Sequence, residues 1–188
     1  MKHGPQFATL LLMLPVSVTL ADSALDLTQR FLLLATTKTA TMQRELDAAA
    51  AAGYRVVVGA PTSGHEMVVI LEKMPSLPQP YEYFLLATIR TATMQRELNE
   101  AAARGFRLLP ETIVAKEQPF GAREIVLLME KAPDATSRYR YLLLATSRTS
   151  TLQREITQAV EDGYEVVAMV SRGEHIVILE KPAGPNGS

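Results

Sequence analysis

The sequence contains no cysteine and no tryptophan among its 188 residues, and histidine occurs only three times. Without cysteine the chain has no disulfide, no thiolate metal site and no lipid-modified cysteine. An excess of one charge is also missing, since the formal net charge is −1 and no run of like charges occurs. Nucleic-acid-binding proteins usually carry a basic patch, and polybasic membrane tethers need a basic run. We therefore expect neither kind of partner.

The sequence also lacks the residue patterns of common active sites. His65 and His175 fall at non-equivalent positions of the repeat described below, and neither histidine has metal-ligand spacing around it. The motif Gly-x-Ser-x-Gly is absent, and so is a glycine-rich phosphate loop. Carboxylates are plentiful, but nothing in the sequence pairs two of them across a cleft. We predict no catalytic residue, no metal and no cofactor, and expect that the protein is not an enzyme.

Residues 1–21 have the pattern of an export signal. Met1-Lys2-His3 is short and cationic, residues 7–20 are mostly apolar, and Thr19-Leu20-Ala21 places small residues before a predicted cleavage site. The alternative is an uncleaved anchor or a disordered apolar arm, but Pro15 interrupts the run, which is short for a membrane span. Small secreted eukaryotic domains often carry disulfides. The lack of cysteine therefore favours the bacterial periplasm, or secretion from a bacterium.

One segment occurs three times and organises the rest of the chain. Its copies, at 33–46, 85–98 and 143–156, each contain Leu-Leu-Ala-Thr followed by Gln-Arg-Glu. Such self-similarity is the mark of a repeat architecture. We predict units at 29–74, 81–132 and 139–182, which we call units one, two and three. Linkers rich in proline and polar residues separate them, and a disordered tail follows at 183–188.

Each unit has the pattern strand, helix, strand, strand. The helix is indicated by apolar residues at i, i+4, i+7 and i+8, as in Met42, Leu46, Ala49 and Ala50. Apolar runs and period-two alternation indicate the strands. First strands are predicted at 31–36, 81–88 and 139–146, second strands at 54–58, 106–109 and 164–168, and third strands at 67–73, 125–131 and 175–181. The longer segment at 110–124 is predicted to be a loop.

Threonines and glycines mark the predicted helix ends. The best N-cap candidates are Thr41, Thr93 and Thr151, which stand directly before the apolar stripe. A helix C-terminus often requires a residue at positive φ, and the residues at those places are Gly53, Gly105 and Gly163.

This order of elements predicts an α+β fold. A right-handed crossover makes the first two strands of a unit parallel, and the closing hairpin places the third strand antiparallel between them. A unit of this size buries little apolar surface by itself. We therefore expect three mainly antiparallel, three-stranded sheets packed back to back with pseudo-threefold symmetry in a monomer, with the helices outside. An open solenoid is the competing arrangement, but distinct capping repeats are not evident.

The units resemble a known family. The Tyr-x-Tyr openings at Tyr81 and Tyr139, the element order and the Gly-Tyr-Glu-Val-Val segment at 163–167 are similar to a family of small bacterial β-α-β-β domains of unknown function, here in three tandem copies. That family typically has tryptophan after the glycine, where this chain has tyrosine or phenylalanine. The unit order is also similar to that of the flavin-storing dodecins, whose flavin-stacking tryptophan is missing here. The resemblance implies a fold and no catalytic residue.

The repeated Gln-Arg-Glu triplet is the first candidate site, and its arginines are Arg44, Arg96 and Arg154. These arginines lie roughly opposite the apolar stripe of each helix. Three interpretations remain open: a solvated face that has not diverged, pairing between units, or a ligand or partner surface built from three copies.

We expect an exported, non-enzymatic binding or interaction module whose ligand is a protein or a small molecule. The segment 110–124, with Phe120, is the most plausible contact feature, because loops longer than a fold requires often carry function. A tolerated surface insertion is the alternative. A small-ligand carrier with a site between units would use Tyr81, Tyr83, Tyr139 and Tyr141. A carboxylate-dependent hydrolase is the third possibility.

Overall fold

The computed structural model describes residues 25–61, 65–76, 79–118, 121 and 123–184. The predicted signal, Phe120 and the last four residues lie outside the described residues. Unit one contains β1 (Phe31–Thr36), α1 (Thr39–Ala51), β2 (Tyr54–Pro61) and β3 (Met67–Lys73). Unit two contains β4 (Glu82–Thr88), α2 (Thr91–Ala103), β5 (Arg107–Glu117) and β6 (Arg123–Lys131). Unit three contains β7 (Tyr139–Thr146), α3 (Thr149–Glu161), β8 (Glu165–Ser171) and β9 (His175–Pro182).

Each unit forms one antiparallel, three-stranded sheet. The strand orders are β1-β3-β2, β4-β6-β5 and β7-β9-β8, so the last strand of every unit lies in the middle. In unit one, Leu33 is opposite Ile70 and Val56 is opposite Leu71. The α+β class, the three sheets and the central position of the third strand were predicted correctly.

The helices begin three residues earlier than predicted, at Thr39, Thr91 and Thr149. The prediction of Thr41, Thr93 and Thr151 as N-caps is therefore wrong. The N-cap residues are Lys38, Arg90 and Arg148, and none of them makes a side-chain cap hydrogen bond. The turn is fixed instead by the threonine that ends each first strand. Thr36 Oγ1, for example, accepts a hydrogen bond of 3.1 Å from the Lys38 N–H, a local side-chain bond of the kind that threonine favours at turns.

The helix C-termini agree with the sequence. Gly53, Gly105 and Gly163 have φ values of 85°, 99° and 86°. Residues with a Cβ rarely adopt this left-handed conformation. Glycine at these positions therefore lets the chain turn directly from helix into strand in each unit.

Each sheet has two faces, which we name by what covers them. The front face is covered by the helix of the same unit, and the back face is the opposite one. Residues on the back face of unit two include Tyr83, Val126 and Leu128, and they share one buried cluster with Met42 and Leu46 of α1. The back face of unit three joins the core of α2 in the same way, through Tyr141, Ile176 and Ile178.

The units therefore pack back to front, and the predicted back-to-back packing is wrong. Helix α1 contacts both β1 of its own sheet and β4 of the next sheet, and α2 likewise contacts β4 and β7. The physical reason is that a helix with small residues, such as Ala49 and Ala50, can bury two sides at once. The helices α1 and α2 thus lie between sheets rather than outside them.

Strand β5 carries most of the segment that was predicted to be a loop at 110–124. It continues to Glu117, with a break in its pairing to β6 between Leu109 and Val114. Its extension packs on unit one, where Thr112, Val114 and Lys116 are buried. The Lys116 ammonium donates a hydrogen bond of 2.6 Å to the Thr37 carbonyl. The extension therefore serves contact inside the molecule.

Within the part of the chain that the structure describes, the array of units is open at both ends. Among the described residues, no element of unit three packs on β1 as α1 packs on β4. Phe31 and Leu33 of unit one are 51% and 60% exposed, whereas their equivalents Tyr83 and Leu85 lie against unit one. At the other end, large apolar side chains of unit three are about half exposed, namely Val160, Val166 and Met169. No helix in the described part is long and apolar enough to cross a membrane.

Candidate functional site

The first junction, between units one and two, is closed by a glutamine. Gln43 of α1 donates a hydrogen bond of 3.0 Å from Nε2 to the Tyr83 carbonyl, and its Oε1 accepts one of 2.8 Å from the Leu85 N–H. Both backbone groups belong to β4, an edge strand whose outward-facing groups have no partner within the sheet. The side chain therefore acts as a short substitute for a neighbouring strand.

The second junction, between units two and three, uses the same position and adds another residue. Gln95 of α2 accepts a hydrogen bond of 2.9 Å from the Leu143 N–H. Asn99 donates one to the Tyr141 carbonyl and accepts one from the Tyr141 N–H, each of 2.9 Å. In α1, the residue equivalent to Asn99 is Asp47. Its carboxylate cannot donate a hydrogen bond to a backbone carbonyl of β4 as Asn99 does to the Tyr141 carbonyl. This difference explains why Gln43 serves both backbone groups in the first junction.

An arginine, a glutamate and a tyrosine complete each junction. In the first, Arg55 of β2 donates from Nε and Nη2 to the two oxygens of Glu130, at 3.1 and 2.9 Å. The Tyr83 hydroxyl donates to Glu130 at 3.0 Å and accepts from the Val56 N–H at 2.9 Å. The carboxylate is buried and the guanidinium is about half exposed. We call this set the first triad.

The second triad repeats this geometry with Arg107, Glu180 and Tyr141. The Arg107 Nη2 and Nε donate to Glu180 Oε1, at 2.5 and 3.1 Å. The Tyr141 hydroxyl donates to Glu180 at 3.1 Å and accepts from the Leu108 N–H at 2.8 Å. Bidentate pairing of this kind fixes orientation as well as charge, so each triad holds two units in one register.

The surroundings of the triads shift the acidity of their members. Burial, together with the charge of Glu130, raises the pKa of the Tyr83 phenol far above its usual value. Burial does the same to the pKa of Tyr141, with Glu180 adding to the effect. The hydrogen bond to Glu130 raises the pKa of Arg55, and the one to Glu180 raises that of Arg107. Both tyrosines are therefore neutral donors and both arginines are permanent cations.

A cavity of about 260 Å³ lies between the two triads and is lined by Arg55, Glu130, Arg107 and Glu180. A larger groove of about 500 Å³ runs between α1, β4 and α2. Neither is lined by Tyr81, Tyr83, Tyr139 or Tyr141. A third cavity, of about 280 Å³, is lined by Tyr139 together with Arg107 and Glu130. Of the four tyrosines predicted for a carrier, Tyr139 thus lines a cavity beside the linker between units two and three.

The open back face of unit one is the third candidate site, and its members are Phe31, Leu33, Val58, Val68 and Ile70. The Lys73 N–H donates to the Arg30 carbonyl at 2.8 Å, which places Arg30 among the residues of this edge that bond to β3. Because ladder bonds alternate along an antiparallel edge strand, the Phe31 carbonyl and the Leu33 N–H point outward. They are equivalent to the Tyr83 carbonyl and the Leu85 N–H, the two backbone groups of β4 that Gln43 bonds.

Unit one supplies its own arginine to this face. Arg30 Nε and Nη2 donate to Glu72 Oε1 at 3.0 and 2.8 Å. Its guanidinium lies 5.0 Å from the centroid of the Phe31 ring. Glu72 is the equivalent of Glu130 and Glu180, which receive their arginine from the preceding unit.

The predicted site residues are not brought together in one place. Arg44, Arg96 and Arg154 are exposed on three separate helices, and Arg96 lies 3.5 Å from Glu100 of its own helix. Tyr83 and Tyr141 are buried at 4% and 2% exposure. Tyr81 and Tyr139 are partly buried beneath Arg55 and Arg107, at 4.6 and 4.4 Å from the guanidinium carbon to the ring centroid. Phe120 lies outside the described residues.

The arginines and glutamates of the triads were not predicted from the sequence. Arg55 and Arg107 share a repeat position, and so do Glu72, Glu130 and Glu180. That recurrence was the available signal, but the partners lie in different units and no local pattern joins them. Of the Gln-Arg-Glu triplet, the glutamine in units one and two makes the contact between units.

No protein-family model matches this chain, and no curated protein and no solved structure matches it either. Within the residues that the structure describes, no group of three or more metal-ligating side chains is gathered in one place.

Proposed function

We propose that the chain is an exported, non-enzymatic interaction module that binds a protein partner through the open back face of unit one. The partner lays a helix across this face, as α1 lies across β4 and α2 across β7. The leader-like pattern at 1–21 supports export. The triad carboxylates, each tied to an arginine and a tyrosine, support a structural rather than a catalytic role for these residues.

One observation carries the proposal: the back faces of units two and three are covered by a helix and a sheet, whereas that of unit one is exposed. Phe31 and Leu33 lie on the open back face beside half-buried Val68 and Ile70, which forms an apolar surface on an edge strand. Contiguous exposed apolar surface is typical of interaction sites. This surface is equivalent to the back faces of units two and three, which form the two junctions of the same molecule.

These two interfaces indicate the chemistry of the partner. A helix that fits must present small residues where α1 has Ala49 and Ala50. It must also carry a side chain amide that reaches the Leu33 N–H and the Phe31 carbonyl, as Gln43 reaches β4. Recognition of an edge strand by hydrogen bonds, with apolar side chains for specificity, is a common mode of protein binding.

Photo-crosslinking tests this proposal. A photoreactive amino acid replaces Leu33 in the full chain, which is then irradiated in an envelope extract of the producing organism. The matched control carries the same group at Met169, an equally exposed position at the other end of the array. We expect an adduct from position 33 that excess wild-type chain competes away and excess Leu33→Arg chain does not. Equal adducts at both positions, or none at position 33, would overturn the proposal.

The pseudo-threefold arrangement remains part of the proposal. The likeness of the two junctions supports a similar rotation from each unit to the next. The exposure of Phe31 and Leu33 supports a repeat of three like units in which no contact between units three and one is made.

The cavity between the triads favours a second function, that of a small-ligand carrier. Arg55 and Arg107 line it together with their two glutamates, so a ligand that fits is small and polar with both charge signs. Isothermal titration with free amino acids tests this candidate. Saturable binding that Arg107→Lys weakens supports it, and heats no larger than those of dilution refute it.

A further inference from the structure

We infer that the two ends of the array are built to reject a second copy of this chain, which reserves the open back face of unit one for a different protein. The inference rests on the proposed function, because it concerns the same surface. A head-to-tail array offers two complementary end faces, and such heterologous contacts form rings or open filaments unless something blocks them. The residues at both ends show what blocks them.

The geometry of a contact between two copies of the chain follows from the two junctions within one copy. Unit three of one copy would cover the back face of unit one of another, with α3 across β1. Each residue at that contact has a known counterpart in the two formed junctions, so the fit is compared position by position.

On the side of unit three, the charge is inverted. Glu165 is the first residue of β8 and stands where Arg55 and Arg107 stand in the other units. In both formed junctions that position bonds directly to a buried glutamate of the next unit. A second copy would place the Glu165 carboxylate against Glu72, and like charges at that distance repel.

On the side of unit one, the acceptor is already occupied. Phe31 stands where Tyr83 and Tyr141 stand, so it has no hydroxyl to donate to Glu72 or to accept from a β8 backbone N–H. Arg30 fills the place of the missing arginine by bonding to Glu72 and covering the Phe31 ring. Unit one therefore supplies the arginine that bonds to Glu72 itself, and it lacks the tyrosine of the other two triads.

The helix surface of unit three is also altered. Ala50 and Ala102 are buried at the two junctions, whereas Val160 at the same helix position is half exposed. A β-branched side chain at a closely packed alanine position forces the helix away from the sheet. Four positions at the two ends thus oppose the contact, at 30, 31, 160 and 165.

The features that receive a helix are nevertheless retained. The Leu33 N–H and the Phe31 carbonyl still point outward, and the apolar surface around them is intact. Proteins avoid wrong partners by keeping an attractive surface for one partner and adding repulsive contacts against a competitor. The open back face can thus still bind a helix, but it is no longer complementary to α3 of a second copy.

Two half-variants test this inference without any knowledge of the partner. The first, Arg30→Glu with Phe31→Tyr, gives unit one the residues of unit two. The second, Val160→Ala with Glu165→Arg, gives unit three the residues of the other units. Each half-variant keeps one original end, so neither assembles alone. We expect monomers from the wild type and from each half-variant, and a 1:1 complex when the two are mixed, measured by sedimentation velocity.

The mixed complex has an internal control. Adding Gln153→Ala to the second half-variant, or Leu33→Arg to the first, removes the contacts that seat α3 on β1 and is expected to return the mixture to monomers. Circular dichroism confirms that each half-variant is folded. If either is not, the single changes Phe31→Tyr and Glu165→Arg form the test pair. Because Arg30 and Val160 then still oppose the contact, we expect a weaker complex, seen as a rise in the sedimentation coefficient of the mixture with concentration.

Two results would overturn the inference. One is a mixture of folded half-variants, or of the folded single variants, that stays monomeric up to the solubility limit. The other is self-association of the wild type that Leu33→Arg abolishes. Neither result depends on the crosslinked partner, so the inference and the proposed function can fail separately.

Discussion

Arg55 of unit one and Glu130 of unit two lie 75 positions apart in the chain and are joined by two hydrogen bonds of 3.1 and 2.9 Å. Arg107 and Glu180 repeat this relationship between units two and three. The bonds define how one unit sits on the next, and the missing third copy defines the ends of the array. Stability and binding in this protein thus depend on the same junction geometry.

Replacing Tyr83 by phenylalanine should destabilise the protein by about 1–3 kcal/mol. The change leaves the buried Val56 N–H without its acceptor and Glu130 without one donor, and an unsatisfied buried group costs about that much. Chemical denaturation measures the difference. Phe31→Tyr is the matched control in the exposed equivalent position, and we expect it to change the free energy of unfolding by no more than about 0.5 kcal/mol. Equal effects from the two substitutions would contradict the triad.

Substituting the equivalent glutamines should have different effects at a formed junction and at the open end of the array. Gln43→Ala removes two hydrogen bonds to β4 and should cost about 1–2 kcal/mol. Gln153→Ala, in the equivalent place on α3, removes no described contact between units and should cost no more than about 0.5 kcal/mol. The denaturation midpoints of the two variants provide the comparison. A loss at Gln153 as large as that at Gln43 would mean that α3 is covered.

Gly59 of β2 is required by the close approach of β5. A Cβ at this position would lie 3.2 Å from the Thr112 Cα, which is backbone and cannot rotate away. Gly59→Ala should therefore separate the strands and destabilise the protein by about 1–3 kcal/mol. Gly184→Ala, where a Cβ meets nothing within 4 Å, is the control. Thermal unfolding of both variants tests the expectation, and an unchanged midpoint for Gly59→Ala would refute the contact.

Alkaline pH should unfold the protein through its buried tyrosines. The folded-state pKa values of Tyr83 and Tyr141 are raised above the unfolded value of about 10. Their contribution is therefore fully present below about pH 10 and is lost as the pH rises toward the folded values. In a spectrophotometric titration, these two phenols should ionise only together with loss of structure. A Tyr83→Phe, Tyr141→Phe variant should lack this late step, and early ionisation of all six tyrosines would contradict it.

Within each unit, most of the fold could be predicted from the sequence. The first strands at 31–36 and 139–146 and the third strand at 67–73 were bounded correctly because apolar alternation and the flanking turns are local signals. The glycine turns at Gly53, Gly105 and Gly163 were predicted for the same reason. The packing of one unit on another was not, since Arg55 and Glu130 are too far apart in sequence for any local pattern to join them.

Two errors have specific physical causes. Thr41 matches the N-cap preference, but the hydroxyl of Thr36 fixes the turn earlier, and the helix begins before the predicted cap. The segment that starts at Pro110 was predicted to be a loop, yet β5 passes through Pro110 at a break in the pairing with β6 and continues to Glu117. Edge strands and bulges are the places in a sheet where proline is tolerated.

Amide hydrogen exchange at three equivalent backbone positions tests the central claim most directly. The Leu85 and Leu143 N–H groups are bonded to Gln43 and Gln95, whereas the Leu33 N–H faces outward from the open back face of unit one. Amides in closed contacts exchange only when the structure opens. We expect Leu85 and Leu143 to be protected and Leu33 to exchange rapidly in dilute protein. Protection of Leu33 equal to that of Leu85 would show a covered face, and would contradict the open array from which both proposals proceed.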